Sequence, residues 1–272
     1  MKIRVGYDIT MTHVQYTPLV LLLNIHESRA ADILVPDTLF VEPAVSLTQF
    51  RDCFGNLNTR LIAPPGQIRF HADAIIADPG SYDYFDPNAI QHDVASLPDD
   101  CLQFLLGSRY CEPDTLMDFA WANFNTSENG YGRVKRIVDF VHDHLTFGYQ
   151  YARKSRNAWE AFNERVGVCR DFAHLAITLC RAMNIPARYC TGYLGDIGVP
   201  RDPAPMDFSA WFEAYIGNHW HTFDARHNQP RIGRVLIARG RDAADTAIST
   251  VYGPSILNSF KIFTEEQIAV AA

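Results

Sequence analysis

No apolar run in the 272-residue sequence is long enough to cross a bilayer. The longest, Leu19 to Ile25, is about a third of the roughly 20 residues that a spanning helix needs. A secretory leader is also missing: Met1 to Thr10 alternates polar and apolar residues, which reads as a strand. These absences predict a cytoplasmic protein with no membrane partner. There is no basic block, and the net charge of -7, from 31 acidic and 24 basic residues spread along the chain, argues against nucleic acid as a partner. The six cysteines, at 53, 101, 111, 169, 180 and 190, are too sparse for a disulfide scaffold and are read as free thiols. No internal repeat or low-complexity tract is found.

What is present is apolar material for packed cores: 47% of residues are hydrophobic and 20% charged. Up to residue 87 the pattern is strands and turns, with strands expected at Ile3 to Thr10, Leu19 to His26, Ala44 to Phe50, Asn58 to Ala63 and Gln67 to Ile76. Residues 1–87 are therefore expected to form an antiparallel β-sandwich-like domain, and residues 88–272 a second, core domain, giving an α+β protein. Apolar residues at helical spacing predict helices over Asp114 to Phe124 and Val134 to Leu145, with a further one at Arg153 to Arg165. The clearest helix runs from Cys169 to Asn184, stopped by Ile185-Pro186. Strands return at Ala187 to Leu194, Asp207 to Ile216 and His219 to Ala225, the last two joined by a Gly217-Asn218 turn.

The string Gly167-Val168-Cys169-Arg170-Asp171-Phe172-Ala173-His174-Leu175 puts a cysteine in the first turn of a helix. Free N–H groups and the helix dipole stabilise an anion there by up to ~2 kcal/mol, so part of Cys169 is expected to be thiolate at neutral pH. A buried structural cysteine is the alternative reading of that position.

The same string, followed by Leu179-Cys180-Arg181, Ile185-Pro186-Ala187-Arg188, Thr191-Gly192-Tyr193, Ala210-Trp211-Phe212-Glu213-Ala214-Tyr215 and Trp220-His221-Thr222-Phe223-Asp224, closely resembles the core of transglutaminase-like proteins. The resemblance covers about residues 131 to 226 and extends to bacterial members with an appended N-terminal domain. It implies a papain-like core with a Cys-His-Asp triad, no metal and no cofactor, and a peptide or protein substrate. Cys169 matches the nucleophile and Asp224 the residue that orients the imidazole. The histidine position, just before Ala-Trp, holds Ser209. Trp211, Asp171 and Tyr193 are the expected substrate contacts.

Counting outwards from the Gly217-Asn218 turn puts Ser209, Trp211, Asp224 and Arg226 on one face of the hairpin, with Ser209 diagonal to Asp224, and His219, His221 and His227 on the other. Serine cannot move protons as imidazole does at neutral pH. General acid-base help is worth about 10² to 10⁴ in rate, so amide cleavage would suffer most and thioesters or activated esters least. His227, just past the strand end, is the best substitute base. His174, about 140° around the helix from Cys169, reads as a core histidine. His142 and His144 lack helical ligand spacing, and a zinc site at His219-x-His221 with His227 has no cysteine or carboxylate at ligand spacing. Two functions fit: a cysteine protease, hydrolase or acyltransferase altered by Ser209, or an inactive relative that binds a peptide or protein in the same cleft.

Overall fold

The computed structural model describes residues 1–126 and 130–267. Three antiparallel sheets carry it. In the first, the strand Lys2–His13 lies between Gly66–Ala77 and Ser255–Glu266, and the short strands Ile33–Val35 and Phe40–Glu42 pair with the far side of Gly66–Ala77. Alternation drives this arrangement: Ile3, Val5, Tyr7, Ile9 and Met11 of one strand and Ile68, Phe70, Ala72, Ala74 and Ile76 of the next all face the core. Gly6 is required at its position. A Cβ there would sit 2.2 Å from the Ala72 carbonyl oxygen and 2.2 Å from the Phe263 ring, so only glycine lets that ring lie over the strand.

The second sheet orders Ser249–Val251, Thr17–Leu21, Leu57–Ala63 and Thr48–Arg51. Thr17–Leu21 and Thr48–Arg51 are shorter than their sequence pattern predicts. The run from Leu19 leaves the sheet after Leu21, because Leu22 N–H donates to the Ile248 carbonyl at 3.0 Å and His26 N–H to that of Leu236 at 2.8 Å.

The third sheet, ordered His219–Phe223, Ser209–Ile216, Ala187–Tyr193 and Val235–Gly240, supports the helix Cys169–Ala182. The hairpin register is the one counted from the sequence: Ile216 faces His219 and Phe212 faces Phe223. The helix is buried on every side from Asp171 to Ala182, not along a single stripe. Arg181 and His174, two of its polar members, are partnered: Arg181 donates to the carbonyls of Ala187, Leu106 and Arg241, and His174 Nε2 accepts from Ala243 N–H at 3.1 Å while stacking on Tyr110, whereas the buried Thr178 hydroxyl has no hydrogen-bond partner among the described residues. Upstream lie the helices Met117–Phe124 and Tyr131–His144, and a shorter one than expected at Ala158–Glu164. That helix begins only where Asn157 accepts from Glu160 N–H at 2.8 Å and Glu160 returns to Asn157 N–H at 3.1 Å.

Division of the chain at residue 87 does not match strand pairing. The strand Ser255–Glu266 runs beside Lys2–His13 over almost its whole length, and Ser249–Val251 closes the second sheet against Thr17–Leu21. Tyr193, Phe208, Val235 and Ile237 of the third sheet and its flank share a hydrophobic core with Ile3, Val5, Tyr7 and Phe70. Residues 255–266 are mostly exposed, so apolar alternation does not announce them. A fragment of residues 1–87 should therefore remain unfolded, since its central strand loses one neighbour and its core an entire wall. Amide NMR of that fragment checks this; well-dispersed resonances would show that it folds alone.

Candidate active site

The nucleophile position is built by the turn before the helix. Val168 is extended, and the Asp171 carboxylate folds back to accept from Val168 N–H at 2.9 Å and from Arg156 at 3.1 Å. Gly167 makes room: a Cβ there would lie 2.6 Å from Asp171 Cβ. Asp171 is thus a buried cap and ion-pair partner, not the substrate contact expected from the sequence, and it does not line the cavity at Cys169.

Cys169 is half-buried at the edge of a cavity of about 630 Å³, which also meets Tyr149, Asp207, Ser209, Arg226 and His227. Burial pushes its thiol up to about 11, reinforced by the nearby carboxyls of Asp207 and Asp224, and the Arg226 guanidinium and the Ala210 N–H only partly oppose it. This direction runs against the partial thiolate expected from the helix start: burial and the two carboxyls outweigh Arg226 and the Ala210 N–H.

Asp224 follows directly on the strand His219–Phe223. The chain then turns, and His227 comes back to it: His227 N–H donates to Asp224 Oδ1 at 3.0 Å, and His227 Nδ1 lies 2.8 Å from Oδ2. Because the turn abandons strand alternation, His227 is not on the face away from Ser209 but in the same cavity lining. His142 fixes the turn from the helix Tyr131–His144, its Nδ1 at 3.1 and 3.0 Å from the carbonyl oxygens of Ala225 and Arg226. Arg234 donates to Asp224 Oδ2 at 3.0 Å and, through Nε, to both oxygens of Asp83 at 3.0 Å. Burial alone would raise the Asp224 carboxyl, but Arg234 and His227 hold it well below the usual carboxylate range.

Two further expected contacts are buried elsewhere. Trp211 shares a strand face with Ser209 but lies deeper, packed with Cys190 and Leu236 under the Arg234 guanidinium, 5.1 Å from the ring centre. Tyr193 turns into the β core against Phe208. Neither lines the cavity. Sequence reasoning did not single out Tyr149, Asp207 or Arg234; no periodicity marks them. His221 is buried and stacks on Tyr84, and among the described residues no group of three or more His, Cys, Asp or Glu side chains could hold a metal ion. Among the same residues no helix is long and apolar enough to cross a membrane.

Residues 120–225 match the family model of the transglutaminase-like superfamily, a span that holds Cys169, Ser209 and Asp224 and ends two residues before His227. The crystal structure of a candidate cysteine protease from Cytophaga hutchinsonii superposes with a TM-score of 0.84 at 32% identity, over 100% of this chain and 92% of that one. The chain belongs to the transglutaminase-like superfamily. Uncharacterized proteins of Mycobacterium leprae (32% identical over 94 residues, 32% of this chain) and Mycobacterium tuberculosis (27% over 141 residues, 48% of this chain) are similar to it in part. The matched regions span 32% and 45% of those two proteins, less than half the length of either.

In this transglutaminase-like site Asp171→Ala should act on stability, not on substrate affinity. It leaves the buried Arg156 short of a partner and should cost about 3 kcal/mol in chemical denaturation. An unchanged unfolding midpoint with weakened substrate binding would restore the contact role. The raised thiol makes a second prediction: alkylation of Cys169 by iodoacetamide, followed by peptide mass spectrometry, should rise about tenfold per pH unit from pH 7 to 9. A plateau near pH 7 would mean a preformed thiolate.

Proposed function

We propose that the chain is a thiol hydrolase or acyltransferase in which Cys169 attacks an amide, isopeptide or thioester carbonyl of a peptide or protein and His227 moves the protons. The observation that carries this reading is the 2.8 Å pairing of His227 Nδ1 with the ionised Asp224, on the cavity that Cys169 also lines. A carboxylate acceptor at Nδ1 selects the tautomer with its proton there, which leaves Nε2 free to accept one. A second cavity of about 500 Å³ also meets Cys169, from the side of Tyr110, Lys154 and Tyr189, so an extended polypeptide has room on both sides of the sulfur.

With the thiol protonated at rest, proton transfer accompanies attack. Sulfur bonds to the carbonyl carbon as its proton passes to His227, and the carbonyl oxygen becomes an oxyanion for which the Cys169 N–H is a candidate donor. Return of the proton to the departing nitrogen breaks the C–N bond and leaves a thioester. Water or an amine then releases the acyl group with His227 again as base. Ser209 alters this chemistry by moving the base from a strand to a turn.

A binding role without turnover is the second reading. It is favoured by Ser209 at the histidine position and by a thiol held protonated. The two separate in initial rates on a small activated ester and its amide. If His227 is the base, native protein turns over both, His227→Gln loses about 10² to 10⁴ with the larger loss on the amide, and Cys169→Ala abolishes both. Ser209→His should then recover His227→Gln in part. Native protein inert on both substrates, with turnover appearing only in Ser209→His, would favour the binding role.

A further inference from the structure

Arg226 is a cation on the cavity that Cys169 also lines. It is half-buried in the turn beyond Asp224, its carbonyl fixed by His142, and its guanidinium lies 3.8 Å from the centre of the Phe147 ring. Stacking fixes the group but leaves its N–H donors unspent. Among the described residues the guanidinium makes no hydrogen bond or ion pair, and Arg226 lines the cavity with Cys169 and Ser209.

Among the described residues none of the acids around it forms an ion pair with it. Asp224 is committed to His227 and Arg234. Asp207 is the acid facing the same wall: burial raises its carboxyl, while Phe208 N–H, which donates to it at 2.7 Å, and the Arg226 charge partly oppose that rise. Asp196 accepts from Asp202 N–H at 2.8 Å and approaches Arg231 at 3.5 Å. Asp202 and Glu265 are exposed at the mouth. Arg231, on the same cavity, donates to the Gly195 carbonyl and keeps a buried, unpartnered Nε. Ser209 lines the same cavity.

We infer that Arg226 anchors a carboxylate of the substrate, so that the preferred acyl donors are acidic, with a carboxylate within a few bonds of the carbonyl that Cys169 attacks. This rests on the reading of the cavity as the acyl site but not on the identity of the base. A guanidinium is suited to such an anchor, because its planar fork binds a carboxylate through two N–H groups at once, and the Phe147 ring keeps the fork from swinging into solvent.

The test uses two alkylating reagents of similar size, iodoacetate and iodoacetamide, on the full chain at one pH. Both consume the same thiolate, so their rate ratio at Cys169 cancels the thiolate fraction and reads the anion preference, and the Arg226 variants separate the guanidinium's share from that of a protonated imidazole in the same cavity. Relative to 2-mercaptoethanol under the same conditions, the iodoacetate to iodoacetamide ratio at Cys169 should be at least about tenfold higher, with iodoacetate alkylation saturating in concentration. Arg226→Gln should bring the ratio to that of the free thiol, and Arg226→Lys, which keeps the charge but not the fork, should keep part of the preference. A native ratio no higher than that of 2-mercaptoethanol overturns the inference. So does an Arg226→Gln ratio that stays high, since another cation would then hold the anion. A high native ratio in a protein inert towards esters and amides would keep the anion site while removing the catalytic reading.

Discussion

A single buried carboxylate organises this molecule. Asp224 is almost fully out of water, a position that by itself would favour the neutral acid, yet two cationic or donor groups converge on it and keep it charged. Arg234 is shared between Asp224 and Asp83, so a chain of charge runs from the stretch linking the N-terminal strands to the helical region, through the third sheet, to His227 at the cavity. Because the folded-state value of Asp224 lies below its unfolded one, its contribution to stability is present above about pH 4 and is lost as pH falls towards the folded value. Stability and the orientation of the histidine therefore depend on the same ionised group.

Cys169 stands in the opposite balance. The start of a helix offers N–H groups and a favourable dipole, but the sulfur lies in a partly enclosed cavity with Asp207 and Asp224 near it, and the neutral thiol wins. Chemistry at such a sulfur depends on a base that acts during attack. Arg226 is the counterweight in the same cavity: it partly lowers the cost of a thiolate.

Much of this was legible in the residues because it depends on local pattern. The helix opened by Cys169, the hairpin turn at Gly217-Asn218 and its register, and the long strands with apolar alternation follow from periodicity and turn chemistry. The strand Ser255–Glu266 did not, since it covers a sheet edge with mostly exposed side chains and its partner is more than 240 residues away. At the candidate site, position along the chain singled out Cys169 and Ser209, which line the cavity, and Asp224, which pairs with His227; depth was not legible, and Asp171, Trp211 and Tyr193 are buried in the protein instead. His227 was readable only as a residue free to turn back. The turn that brings it to Asp224 is held by His142 from a distant helix, a contact that no local pattern encodes.

The central claim is that the imidazole of His227 takes the proton of Cys169 across this cavity. Chemical rescue tests it most directly: acylation of His227→Ala by a small activated ester, measured against the concentration of added imidazole, with Cys169→Ala/His227→Ala as the control. The account predicts a slow basal rate that imidazole restores towards the native one with saturation, as the free base occupies the space left beside Asp224, and no effect in the control. A His227→Ala rate equal to the native one without imidazole would contradict it.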